Sequence, residues 1–158
     1  MTTSLTLVRR IAARPAIVFE ALTSADGVAA WWGPDDLPVI LAEVDARVGG
    51  AYRVRFGTAD GLEHEAVGEF LEVAAPNRLA MTWAYAFGGE PEELGRTSHI
   101  EFDIKSIDGG AELTFTQSRL KNTASVASHD RGWSGAFVKL VRILGGPPED
   151  ANPDTEEA

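Results

Sequence analysis

The chain has 158 residues, with 14 Lys+Arg against 24 Asp+Glu, three His and no Cys. That length suits one domain with a buried core, and the missing thiols exclude disulfides, thiolate metal sites and a cysteine nucleophile. A net charge of −10 argues against a nucleic-acid-binding face, which needs clustered Lys/Arg to displace counterions.

Leu5–Ile11 is β-branched and partly alternating, so it is a first strand. Pro15 then suits a helix N-terminus, and Ile17, Val18, Ala21 and Leu22 form one apolar stripe. Thr23-Ser24 ends that helix and caps a second, short one that runs to Trp31-Trp32, where Gly33-Pro34 stops it. From Pro38 the period changes. Val39–Arg47, Ala51–Thr58, Leu62–Val73, Leu79–Phe87, Thr97–Ser106 and Ala111–Arg119 are predicted as strands, separated by turn words such as Asp60-Gly61 and Asp108-Gly-Gly110. Connections this short make the sheet antiparallel. The last element spans 122–144, with Val126, Trp133, Phe137, Leu140, Val141 and Leu144 on one face, and Gly145-Gly146 closes it.

Beyond Gly145 the chain reads GGPPEDANPDTEEA, and five acids there (Glu149, Asp150, Asp154, Glu156, Glu157) hold half of the net charge. Residues 145–158 are therefore expected to be a disordered acidic tail behind a single domain of 1–144. No apolar run approaches the roughly 20 residues that span a bilayer. Met1-Thr-Thr-Ser-Leu5 has no basic stretch leading into an apolar one, so a cytoplasmic location is expected.

The order is thus β-α-α-β6-α, an α+β layout in which seven curved antiparallel strands wrap a long C-terminal helix. With these words in these places it resembles the helix-grip fold of the START/polyketide-cyclase superfamily. Within that group it is similar to the family named after activator of heat-shock protein 90 ATPase homologues. The resemblance rests on VRRIAARPAIVFEALTSADGVAAWWGP, on Asp45, Arg47, Gly49 and Gly50 in DARVGGAYRVRF, on GEFLEVAAPNRLAMTW ending at Trp83, and on SHDRGWSGAFVKLVRIL. It implies a cavity that accepts apolar or amphipathic small molecules. Many relatives read Thr-x-His-x-Gly after the last strand. Here Gln117 takes the approximate place of that His, which leaves the position without an acid-base group.

Strand parity sorts the candidate contacts. Leu79, Met81, Trp83, Tyr85 and Phe87 share a face, as do Ser98, Ile100, Phe102 and Ile104, and Ala111, Leu113, Phe115 and Gln117; these faces are expected to look inward. Tyr52, Val54 and Phe56 are expected to face the core and Arg53 and Arg55 water, with an inward Arg53 or Arg55 that would favour an anionic head group as the alternative. In the fourth strand Glu63, Glu65, Val67, Glu69 and Leu71 form a solvated face, which turns His64 inward with Leu62, Ala66, Gly68 and Phe70 as a polar anchor or acid-base group. On the last helix His129 shares a face with Trp133 and Phe137, and Trp32 is expected at the cavity rim. The expected ligand contacts are Trp32, His64, Trp83, Tyr85, Phe102, Phe115, Gln117, His129, Trp133 and Phe137.

His99 and Glu101 share an outward face, too sparsely attended for a metal, and neither a cofactor motif nor a nucleophile elbow is present. The functional expectation is a binding protein for a small hydrophobic or amphipathic ligand, as a monomer or homodimer, without nucleic acid, membrane insertion, metal or cofactor. Two alternatives stand beside it. One is a cyclase, hydratase or hydrolase using a polar residue such as His64 in the same cavity; the other is a chaperone-associated or regulatory protein-binding module.

Overall fold

The computed structural model describes residues 3–88 and 93–148. The elements run β1 (Leu5–Ile11), α1 (Pro15–Thr23), α2 (Ala25–Trp31), β2 (Val39–Val44), β3 (Ala51–Gly57), β4 (Glu63–Ala74), β5 (Arg78–Phe87), β6 (Ser98–Ile107), β7 (Gly110–Ser118) and α3 (Thr123–Ile143). The seven strands form one antiparallel sheet in the order β1-β7-β6-β5-β4-β3-β2. The α+β helix-grip layout follows: strands β2 to β7 meander, and β1 closes against the last of them.

Local chemistry sets the boundaries. Ser24 ends α1 and caps α2, its hydroxyl accepting from the Gly27 N–H at 3.0 Å. Asn122 caps α3 in the same way through Ser125 N–H at 2.9 Å. At the far end of α3, Gly145 and Gly146 take positive φ, and the Gly146 N–H returns to the Val141 carbonyl at 2.8 Å, so the helix stops in a glycine cap. The Thr58–Leu62 turn is closed by the Asp60 carboxylate, which accepts from the Leu62 N–H at 3.1 Å.

The apolar side chains of β3 to β7 meet the inner face of α3. Phe102, Phe115, Phe137 and Leu140 are fully buried there, with the Phe115 and Phe137 rings 5.2 Å apart. Trp31 fills the angle between α2 and α3 and donates its indole N–H to the Ala21 carbonyl at 2.9 Å. Gly68 is required where it stands. A Cβ there would lie 2.1 Å from the Thr82 carbonyl oxygen and 2.5 Å from the Tyr52 ring, which crosses it to donate to that same carbonyl at 2.6 Å.

Three expectations from strand parity are corrected. An extra residue, Ala86, opposes Glu65-Ala66 in β4 and reverses the parity of β5, so Phe87 lies on the outer face with the Arg55 guanidinium 5.4 Å from its ring. Glu65 is not solvated: it is 3 % exposed beneath Arg53 at 3.4 Å and Arg55 at 2.9 Å, which do face outward. Leu62 is exposed in the turn before β4 instead of facing the core. At the chain end, Gly145–Pro148 lie against the fold, with the Ala12 N–H donating to the Gly146 carbonyl at 2.8 Å. The remainder of the expected tail, 149–158, lies outside the described residues. No helix of the described residues is long and apolar enough to cross a membrane.

Candidate functional site

The inner face of α3 changes along its length. Towards the C-terminus it carries Phe137 and Leu140, which seal against β1, β6 and β7. One to three turns earlier it presents Ser125, Ser128, His129, Gly132 and Trp133. Small and polar side chains cannot fill the distance to the sheet, and a cleft of about 790 Å³ opens there, between α3, the ends of β3 to β5 and the loop after α2. That volume lies in the range of small-molecule sites, roughly 300–1,000 Å³.

Its walls are aromatic. Trp32 packs edge-on to Trp133 with centroids 5.2 Å apart, and Trp83 packs edge-on to Tyr85 at 4.6 Å and to His129 at 4.9 Å. His64 stacks on Phe56 at 5.4 Å and approaches Tyr85 at 6.0 Å. Gly88, with φ +84°, passes so close to His64 that a Cβ would lie 2.4 Å from Nδ1. Gly132 is the opposite case: a Cβ there meets nothing within 4 Å, so its missing side chain leaves the cleft wider.

Two sets of polar groups are buried behind these walls. In the first, every group is satisfied. Gln117 accepts from the Trp133 indole N–H at 2.9 Å and donates to Ser98 Oγ at 2.8 Å, and Ser98 reaches the Trp83 carbonyl at 3.3 Å. In the second, two atoms have no hydrogen-bond partner among the described residues: Trp83 Nε1 and His129 Nε2. His129 donates from Nδ1 to the Ser125 carbonyl at 2.8 Å, and because a carbonyl only accepts, Nδ1 carries the proton. Nε2 is then a bare acceptor on the side of the ring away from the helix backbone. Burial holds the His129 pKa below its ordinary value, against smaller upward pulls from the Ser125 hydrogen bond and the Glu93 carboxylate, so the ring is neutral at pH 7. Burial, helped by Glu93, pushes Tyr85 up to about 12 and keeps its hydroxyl protonated.

The rim is cross-linked. The Asp35 carboxylate accepts from the Ala59 N–H at 2.7 Å, joining the loop after α2 to the β3–β4 turn. Thr58 Oγ1 lies 2.5 Å from the Asp60 carboxylate and 3.1 Å from His64 Nε2. With Thr58 donating to the carboxylate, its oxygen is left to accept from His64. The Thr58 and Leu62 hydrogen bonds hold the Asp60 pKa below the ordinary value. Lys139, 7 % exposed, donates to the Trp32 and Asp35 carbonyls at 3.2 and 2.6 Å, and burial lowers its pKa. One turn earlier, Gly135 allows the same loop to touch the helix, since a Cβ would lie 2.3 Å from the Pro34 carbonyl oxygen.

Of the ten side chains expected from sequence to touch a ligand, Trp32, His64, Trp83, Tyr85, His129 and Trp133 line the cleft together. Phe102, Phe115 and Phe137 lie behind it in the sealed core, and Gln117 is fully buried with both ends of its amide engaged. Sequence reasoning passed over Asp35, Asp60, Glu93 and Arg131, which lie on the lining in loops or on a helix face that parity does not sort, and Thr58, which shares the parity of Tyr52, Val54 and Phe56 at the end of the predicted strand Ala51–Thr58. It also passed over Lys139, whose helical spacing from Gly135 was the available signal. His99 and Glu101 sit outside the cleft, 3.6 Å apart. Among the described residues no group of three or more His, Asp or Glu gathers to hold a metal ion. A second hollow, of about 560 Å³, lies at the opposite end of the strands between Ala12–Ile17 and the β6–β7 turn, where Arg14 is the lone titratable side chain on the lining among the described residues.

The family model described as Activator of Hsp90 ATPase homolog 1-like protein matches residues 12–145. Among solved structures, a protein from Chromobacterium violaceum is 24% identical with a TM-score of 0.78, covering 90% of this chain and 97% of its own. A protein from Silicibacter pomeroyi, itself titled AHSA1, gives the same four values. DynU16, described as a protein in the dynemicin biosynthetic locus, is 22% identical with a TM-score of 0.71, covering 92% of this chain and 48% of its own. At these identities the likeness is one of fold. No curated protein matches the chain.

Proposed function

We propose, from the premise that the chain belongs to the Activator of Hsp90 ATPase homolog 1-like family, that this domain binds a small apolar or amphipathic molecule in the cleft between the sheet and α3. The observation that carries the reading is the cleft of about 790 Å³ walled by Trp32, Trp83, Tyr85 and Trp133. Trp83 Nε1 and His129 Nε2 are buried without partners among the described residues, while Gln117, Ser98 and Trp133 a few ångströms away satisfy one another. A buried polar atom without a partner costs about 1–3 kcal/mol. An apolar or amphipathic ligand in the cleft would cover the side chains of Trp32, Trp83 and Trp133 that line it.

Burial of ligand surface at about 25 cal/mol per Å² gives useful affinity without a catalytic group. Acid-base chemistry through His64 and Tyr85 has less support: Thr58 occupies His64 Nε2 at 3.1 Å, and the Tyr85 hydroxyl stays protonated. The test is a thermal-shift panel of lipids and small aromatics at fixed protein concentration. Binding to the native state raises the melting temperature with ligand concentration. A flat response across the whole panel, with a protein partner co-purifying instead, would favour the protein-binding alternative.

A further inference from the structure

We infer that the Tyr85 hydroxyl is the polar anchor of the cleft: it donates its hydrogen to an acceptor oxygen, of a carbonyl or a carboxylate, on an otherwise apolar ligand. This rests on the ligand-binding reading above and adds the contact that orients the molecule.

The other polar groups near the cleft are committed elsewhere, sealed or exposed. Trp83 Nε1 and His129 Nε2 are buried too deeply for a molecule in the cleft to touch. His64 Nε2 meets Thr58 Oγ1 at 3.1 Å, and the Asp35 and Asp60 carboxylates receive the Ala59 and Leu62 N–H groups at 2.7 and 3.1 Å. Asn122, Ser128 and Arg131 are exposed along α3. Tyr85 differs from all of these. It lines the cleft half-buried, and its Oη makes no hydrogen bond among the described residues and is not sealed like the Trp83 and His129 nitrogens.

The fold fixes where that hydroxyl sits. The Tyr85 backbone pairs with Ala66 of β4 and bridges Leu94, and its carbonyl accepts from the Gly95 N–H at 3.4 Å. The ring packs T-shaped against Trp83, with centroids 4.6 Å apart, and lies tilted to His64 at 6.0 Å and to His129 at 6.3 Å. A donor held in place by its neighbours loses little further freedom when a ligand engages it.

The class of partner follows from the hydroxyl. Burial, helped by Glu93, pushes Tyr85 up to about 12, so at neutral pH the oxygen keeps its hydrogen. An unused lone pair is tolerated more readily than an unused hydrogen, so the fitting ligand group is an acceptor oxygen. A carbonyl and a carboxylate both supply one. Arg131 on the same lining favours the carboxylate, and Asp35, Asp60 and Glu93 favour the neutral carbonyl.

Three naphthalenes of similar shape provide the test: 2-acetylnaphthalene, 2-isopropenylnaphthalene, in which C=CH2 replaces C=O, and 2-naphthoate. Each is measured by equilibrium dialysis at neutral pH against wild type, Tyr85→Phe and Arg131→Gln. Tyr85→Phe keeps the ring and gives up no hydrogen bond among the described residues, so it should melt with wild type. The ketone and the naphthoate are expected to bind Tyr85→Phe about two- to tenfold more weakly than wild type, while the alkene binds both alike. Comparing each probe across the two proteins removes the difference in hydration between probes. Arg131→Gln should weaken the naphthoate and leave the ketone unchanged, and whichever of the two wild type binds more tightly tells an anionic ligand end from a neutral one. Ketone affinity unchanged in Tyr85→Phe, or an equal loss for ketone and alkene, overturns the anchor and leaves the ligand-binding reading standing. Failure of all three probes to bind wild type counts against both.

Discussion

The two halves of α3 pack against the same sheet and end in opposite states. Towards the C-terminus, Phe137 and Leu140 meet Phe115, Leu113 and Ile11, and every one of these is at most 1 % exposed. Towards the N-terminus the helix offers Ser125, His129 and Gly132, and the space they leave is a cleft walled by tryptophans. A long helix lying on a sheet is thus sealed or open according to side-chain volume at a few inward positions. The difference extends to polar chemistry. Gln117 lies under the boundary and satisfies both neighbours, whereas His129 Nε2 and Trp83 Nε1 are left without partners among the described residues. One half is closed packing; the other leaves a cleft and two buried polar atoms without partners among the described residues.

The largest way to break this contrast is in the sealed half. Phe137→Ala removes a fully buried ring between Phe115 and Trp31 and should cost about 3–5 kcal/mol, read as a lower urea midpoint with unchanged slope. Next comes Gln117→Leu, which strands the Trp133 indole N–H and removes one of the two hydrogen bonds of Ser98 Oγ, leaving the one to the Trp83 carbonyl. A loss of about 1–3 kcal/mol is expected. His129→Phe is the sharpening control, since it removes the unpartnered Nε2 while giving up the Nδ1 hydrogen bond to the Ser125 carbonyl. Its loss in the same urea experiment should be smaller than that of Gln117→Leu, and an equal loss would contradict the contrast between the two polar sets.

Lys139→Met tests the rim. It removes the donor to the Trp32 and Asp35 carbonyls but also relieves a buried cation, so a loss of about 1–2 kcal/mol is expected, together with faster amide exchange at residues 33–36.

The smallest effect is on pH dependence. The folded-state pKa of His129 lies below its ordinary value of 6.5, so the unfolded chain binds the proton more readily between the two values. Stability contributed by the neutral ring is complete above about pH 6.5 and is lost as pH falls through the folded-state pKa. Melting curves between pH 7.5 and 5 should therefore decline more for wild type than for His129→Phe, with Tyr85 staying protonated throughout and Glu93 facing both.

Much of the fold was legible because its punctuation is local. Ser24, Asp60-Gly61, Asn122 and Gly145-Gly146 each stop or cap an element through contacts within a few residues. The cleft was half legible for the same reason. His129 and Trp133 follow from helical spacing, and Trp83, Tyr85 and His64 from strand alternation. What escaped was decided across strands. One extra residue at Ala86 reversed Phe87 without any compositional sign. Glu65 counted as a solvated acid because its two arginines come from the neighbouring strand. Gln117 looked like a polar group awaiting a ligand, but its partners are Trp133 on the helix and Ser98 on the next strand. Lys139 is buried only because two carbonyls more than a hundred residues earlier in the chain receive it.

The central claim is that the cleft holds a small molecule. Native mass spectrometry of freshly purified protein, wild type beside Gly132→Leu, tests it most directly. The Cβ of a leucine at Gly132 meets no atom within 4 Å, the change improves helix propensity by up to about 1 kcal/mol, and the side chain is expected to occupy part of the cleft that Gly132 lines. The account predicts a retained adduct on wild type that Gly132→Leu lacks while melting no lower. Bare protein mass in every wild-type preparation, or an adduct that Gly132→Leu keeps in full, would contradict it.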